Sequence, residues 1–155
     1  MLVYSNDIFS FSYPASATIE NLITDKKDER WLNIYYPQYQ TTIYCSYIHI
    51  SKDRLRGMLE DNHRIVYSHA TQAAEIKQTR LDNTDNSSGM LYDIAGDVAS
   101  PIQFFLTDST SHFFRGSLYY NNKVNQDSVA PITSFLRQDI TKIATSIRWN
   151  DSPHH

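Results

Sequence analysis

The chain has 155 residues, with 14 Lys and Arg against 17 Asp and Glu and a net charge of −3. That length suits a single domain over 1–155 with a real core, and the charge excludes nucleic acid as the main partner, because phosphate recognition needs a concentrated basic field. A lone cysteine, Cys45, excludes an internal disulfide, no run approaches the ~18 apolar residues of a membrane span, and no signal peptide opens the chain.

In chain order, residues 1–6 read as a flexible end, and "DIFSFSYP" (Asp7 to Pro14) alternates as a first strand stopped by its proline. A polar segment through "TDKKDER" leads to "WLNIYY", "PQYQ" and "TTIYCSYIHI", a β-hairpin turning at Pro37 to Gln40. Pairing Tyr36 with Thr41 puts Leu32, Ile34, Ile43, Cys45 and Tyr47 on one face and Trp31, Tyr35 and Tyr44 on the other. From Asp53 to Ile76 the period becomes helical, with Leu55, Leu59, Val66, Ala70 and Ala73 recurring every three or four residues. "EIKQTRLDN" reads as a short polar edge strand and Asn83 to Gly89 as a loop.

Three strands follow: "MLYDI", "PIQFFLT" and "HFFRGSLYYN". A turn at Ser109 and Thr110 pairs Phe105 with Phe114 and Phe104 with Arg115. It leaves both faces apolar: Phe105, Phe114, Leu118 and Tyr120 on one, Ile102, Phe104, Leu106, Phe113 and Tyr119 on the other. Such a sheet has to be covered on both sides. A last helix over Ala130 to Trp149 has Ser128 as its N-cap, Pro131 in its first turn and a stripe of Ile132, Leu136, Ile140, Ile143 and Ile147. Residues 150–155 read as a second flexible end. The fold class is therefore α+β, an antiparallel β-sheet covered by helices on both faces.

Asp108, Ser109, Ser111, His112 and Arg115 are the vocabulary of a hydrolase, but not its arrangement. Ser111 and His112 are strand neighbours pointing to opposite faces, and Ser109 has no glycine elbow around it. Asp108 starts the turn by bonding its own backbone. A hydrolase using Asp93, Asp108 and His112 would need at least two of them within hydrogen-bond reach, against the parity of the strands. Glu60 and His63 are one Glu/His pair at i, i+3 with no second copy, so no di-iron site is expected, nor any other metal, cofactor or catalytic residue.

Arg115 admits two readings: a half-buried cation paired with Asp93, or a guanidinium set beside aromatics to receive an acidic group. At this position the first is the preferred reading; the 11 Tyr, 7 Phe and 2 Trp of the whole chain only strengthen the case for a binding face, since these rings suit surfaces buried part of the time. The candidate interaction surface is Trp31, Tyr35, Tyr44, Arg115, Tyr119 and Tyr120. A concave pocket where Asp93, Gln103 and Arg115 converge on tyrosines would instead suit a glycan or peptidoglycan fragment.

Taken together, "WLNIYYPQYQTTIYCSY", "LEDNHRIVYSHATQA", "LYDIAGDVASPIQFFLTDSTSHFFRGSLYYN" and "DSVAPITSFLRQDI" resemble, in order and spacing, the GldD family of gliding-motility lipoproteins of Bacteroidetes, from about Trp31 to Trp149. The resemblance implies a periplasmic protein anchored to the membrane through a lipid on an amino-terminal cysteine. That cysteine and its lipobox are missing here, and Cys45, in mid-strand, does not replace them. It implies partners among envelope and gliding-machinery proteins and the associated type IX secretion apparatus, and no enzymatic activity. The element order is also similar to the PsbP-like α-β-α sandwich.

Overall fold

The computed structural model describes residues 1–68, 73–83, 86–96, 98–121 and 126–150, with side chains for all of these except 73, 74 and 126–128. It is a mixed α+β fold of antiparallel sheets and two helices. A seven-stranded sheet runs in the order β3-β4-β5-β9-β8-β7-β6, from β3 (Thr18–Leu22), β4 (Glu29–Tyr36), β5 (Thr41–His49), β9 (His112–Tyr120), β8 (Ile102–Thr107) and β7 (Ser88–Gly96) to β6 (Ala73–Asp82). A smaller sheet, β1-β2-β10, joins β1 (Leu2–Ser5) and β2 (Phe9–Tyr13) to β10 (Arg148–Trp149). Leu2–Ser5, expected as a loose end, are thus a strand on β2. The polar strand β6 does lie at the sheet edge.

The β4–β5 hairpin has the expected register, Tyr36 opposite Thr41, turning through a single 3-10 turn over Pro37–Tyr39. Proline presets the turn's first φ, and Gln40 closes it at φ 48° in the left-handed region. Its core face carries Leu32, Ile34, Tyr36, Ile43, Cys45 and Tyr47, all buried. These pack with Ile102, Phe104, Leu106, Phe114 and Leu118, with Leu136, Ile140, Ile143 and Ala144 of helix α2 (Gln126–Ser146), and with Phe9 and Phe11 of β2. Buried polar pairs belong to this layer too, among them the Tyr36 hydroxyl, which donates to Asp139 Oδ2 at 3.0 Å.

The β8–β9 register differs from the expectation by one residue. Phe105 faces Arg115 and Phe104 faces Gly116, because the connection holds five residues, 108–112, between Thr107 and Phe113. Asp108 builds it: Oδ1 accepts the backbone N–H groups of Thr110, Ser111 and His112 at 2.9–3.0 Å, while Ser109 takes φ 67°. Since one residue of slip exchanges the faces of a strand, Phe114, Leu118 and Tyr120 join the core face with Phe104. Phe105, Phe113, Arg115 and Tyr119 share the outer one.

Helix α1 (Lys52–Ser68) stops short of the expected Ile76. Ala73 to Ile76 already belong to β6, and Ala70 lies outside the described residues. Helix α2 begins at Gln126, so Ser128 lies inside it rather than capping it, and it ends at Ser146, so Trp149 falls in β10. Pro131 sits beyond the first turn.

Among the described residues, the expected helical cover of both faces is not seen across β3–β5. A helix about 10 Å wide shields roughly two strands spaced ~4.8 Å apart. The core face has α2 and the small sheet; among the described helices the outer face has α1, which buries only Asn62 and Val66. Val66 packs with Tyr92, Ile94 and Phe105 on the β7–β8 side. Neither described helix covers the β3–β5 side of this face, where Trp31 and Tyr44 are exposed.

Candidate functional site

Alternation along β4, β5 and β9 brings Trp31, Tyr35, Tyr44, Tyr119 and Arg115 to the outer face. Trp31 lies opposite Ser46, Tyr35 and Tyr119 flank Thr42 from its two sides, and Tyr44 stands between Asn33 and Ser117. Trp31 is 38% exposed and Tyr44 47%, whereas Tyr35 and Tyr119 are half-buried. The Trp31 indole donates to Glu29 Oε1 at 3.0 Å, which fixes the ring while leaving its surface to solvent. Tyr44 and Tyr119 meet edge to face, centroids 5.5 Å apart at 72°, a favoured aromatic arrangement. They line, with Tyr120 and Asn121, a shallow depression of about 600 Å³.

Tyr120 is placed differently from Tyr119. Its position is on the core face, and its hydroxyl meets Thr133 Oγ1 of α2. Burial raises its pKa, against the opposing pull of Thr133 and Arg137. It therefore borders the aromatic patch from the rim.

Arg115 sits where the cover of α1 ends. On one side its Nε donates to Asn62 Oδ1 at 2.8 Å and its Nη2 to Gln103 Oε1 at 2.9 Å. On the other side it faces Ser46, which is exposed. Burial pulls its pKa down from the usual guanidinium value, and the hydroxyls of Tyr119 and Tyr92 pull it back up. The expected Asp93 partner is absent, because the register puts Asp93 on the core face. There Arg137 Nε of α2 holds Asp93 Oδ1 at 2.5 Å. The convergence of Asp93, Gln103 and Arg115 on one pocket fails for the same reason.

The hydrolase residues are also occupied elsewhere. Asp108 is bound into its turn: burial pushes its carboxyl up, but the N–H groups of Ser111, Thr110 and His112, with the His112 charge, outweigh this and bring it below the usual range. The His112 ring, buried, stacks on Trp149 at 4.5 Å and shares a 2.5 Å hydrogen bond through Nδ1 with the Tyr47 hydroxyl. Glu60 and His63 lie exposed on α1, and among the described residues no three His, Cys, Asp or Glu side chains gather as a metal site. No described helix is long and apolar enough to cross a membrane.

Asn62 is the residue the sequence reading missed, while Glu60 and His63 beside it drew attention. Its signal was positional: with Leu55, Leu59 and Val66 it falls at i+7 of the apolar stripe of α1, where an amide has to find a polar partner.

The family model for the gliding motility lipoprotein GldD matches residues 3–149, and so includes the amino-terminal strands ahead of Trp31. Comparison with curated proteins and with solved structures gives no match.

Proposed function

The chain belongs to the gliding motility lipoprotein GldD family, and from that premise we propose that it is a non-enzymatic accessory protein of the motility apparatus, acting in the periplasm by binding another envelope protein. The membership itself implies a membrane-anchored envelope protein with a role related to gliding. A link to the type IX secretion machinery belongs to the same proposal and rests on the family resemblance.

One observation carries the binding role: Trp31 and Tyr44 stand exposed on the outer sheet face, with half-buried Tyr119 packed on Tyr44 and Arg115 bordering them where α1 ends. Aromatic and Arg side chains are the types that dominate interface energetics. Supporting the non-enzymatic part, Asp93, Asp108 and His112 each spend their polar atoms on a different structural task.

The test is a photo-crosslinking residue placed at Tyr44 in the full-length lipidated protein in cells, with Lys77 on the distant edge strand as control. One envelope protein should crosslink from Tyr44 and not from Lys77. A Trp31→Ala/Tyr44→Ala variant of unchanged melting temperature should lose its capture and impair gliding, since each anchor of this kind is worth ~2 kcal/mol or more. Equal crosslinking from both positions would sink the reading.

The depression beside Tyr44 favours a second reading, a glycan or peptidoglycan fragment stacked on the tyrosines. Saturable tyrosine fluorescence changes with muropeptides, in the absence of any protein crosslink, would replace the first reading by this one.

A further inference from the structure

The seven-stranded sheet ends in two edge strands, β6 and β3. A sheet edge presents a row of backbone N–H and C=O groups with no neighbour, and proteins ordinarily guard it with charged side chains, proline or irregular pairing. Strand β6 is guarded. Lys77 and Arg80 stand exposed along it, and its register slips between Ala73 and Ile76.

Strand β3 has no such guard. Its five rungs with β4, from Thr18 opposite Tyr35 to Leu22 opposite Trp31, run without a slip. It holds no Lys, Arg or Pro, and its one charged residue, Glu20, accepts from Asn33 Nδ2 of the neighbouring strand at 3.2 Å. The Tyr4 hydroxyl of β1 donates to Asn21 Oδ1 at 2.5 Å, a contact between side chains that leaves the backbone edge free. No backbone hydrogen bond from another described element meets the outer edge of residues 18–22. Four of these five residues are exposed, and Ile23, which follows them, is 97% exposed.

This edge also adjoins the aromatic patch. A strand added outside β3 lies one strand away from Trp31 and Tyr35, and its alternate side chains continue the outer face. Charge narrows the occupant. Residues 18–29 carry Glu20, Asp25, Asp28 and Glu29 against Lys26 and Lys27, a balance that favours Lys or Arg on an incoming strand. A second copy of this chain fits worse, because two-fold pairing about Glu20 sets two carboxylates opposite each other.

We propose that β3 is a strand-addition site: an extended segment of the protein that docks on the aromatic patch, with a Lys or Arg beside Glu20, pairs with this free edge and prolongs the sheet. The inference rests on the docking reading and deepens it by naming the form of the partner's contact. Main-chain hydrogen bonds to β3 give affinity, while Glu20 and Leu22 select the side chains of the added strand.

The test is an NMR titration of the isotope-labelled chain with an eight-residue peptide of alternating Val and Lys. Its controls are the Val and Glu counterpart and a twin N-methylated throughout. The readout is amide exchange along β3 and β6. With the Val and Lys peptide at ten times its measured Kd, exchange should slow about tenfold at every second amide of β3, those pointing away from β4, and should not change in β6. The Val and Glu peptide should bind more weakly, and Glu20→Lys should reverse that order. The N-methylated twin should protect nothing. Glu20→Pro and Asn21→Pro are both made, because one of two neighbouring N–H groups points outward. That variant should keep the parental melting temperature and lose the protection, whereas the other breaks a rung with β4.

Absence of β3 protection, equal protection by the N-methylated twin, or no preference between the charged peptides overturns the proposal. Protection of β3 that rises with protein concentration alone would give the edge to a second copy and overturn it too. Partner capture through Tyr44 without β3 protection would overturn this inference alone. Protection of β3 without capture would overturn the docking reading alone.

Discussion

At Asp108 a single carboxylate oxygen holds three consecutive backbone N–H groups and thereby counts the residues of a connection. Its folded pKa is depressed, so by linkage its contribution to stability is present above the unfolded carboxyl value of ~3.9 and is lost as pH falls through the lower folded value. Asp108→Asn keeps a neutral acceptor in the turn but removes the titration. The stability gap between parent and variant, measured by urea unfolding, should be widest at neutral pH and should narrow below about pH 4. An unchanged gap across that range would mean the charge contributes nothing. Tyr36 and Asp139 are the buried counterpart, a phenol donating to a carboxylate under α2, where burial first, and the Asp139 charge next, push the phenol far above its ordinary value.

Among the elements, β7 and β8 approach closely enough to forbid a side chain at Gly89. A Cβ there would lie 1.8 Å from the backbone oxygen of Phe105, and backbone cannot step aside as a flexible side chain can. Gly89→Ala should cost about 3 kcal/mol or more, read as a fall in the denaturation midpoint. A variant of parental stability would show that the two strands can separate locally. At Gly116 the ring of Phe104 lies across the position a Cβ would take, filling the gap in the face opposite it. These details bear on what was legible beforehand. The β4–β5 register could be read because its pattern has a clear inside and a proline-led turn. The β8–β9 register could not, because aromatic residues occupy both faces and either parity satisfied the hydrophobic pattern. That one slip reassigned the partner of Arg115 and exchanged the faces of Tyr119 and Tyr120. Strands β1, β3 and β10 escaped notice because they are short or polar; β10 has two residues and exists through its pairing with β2. Arg115 stands out in the sequence as a cation among aromatics, yet its partners in the fold, two neutral amides from α1 and β8, carry no charge signal there.

On the scale of the whole molecule, the two ends of the chain close on each other. Phe9 pairs with Trp149 and Ser10 with Arg148, the Asn150 amide donates to the Ile8 carbonyl, and the Trp149 indole donates to Ser87 Oγ at 2.7 Å while its ring covers His112. Trp149→Ala removes a half-buried ring that joins β10, β5 and the β7 approach. It should cost about 2–3 kcal/mol, somewhat under the figure for a fully buried Trp, and should raise amide exchange in β2 together with β10. Exchange rising in β10 alone would show the terminal pairing to be decorative. Pairing residues so far apart in sequence also delays completion of the fold until the last strand is available. The outermost strand of that closure, β1, has a different consequence. None of its residues is fully buried, and Tyr4, bonded to Asn21 and stacked on Phe11, is its main hold beyond the four rungs shared with β2. In a lipoprotein held to a membrane from its amino end, traction would enter at this strand. The rungs would open one after another, and residues 1–8 would pay out roughly 27 Å of leash before any load reached Phe9 and the aromatic core: a shock absorber in series with a rigid body.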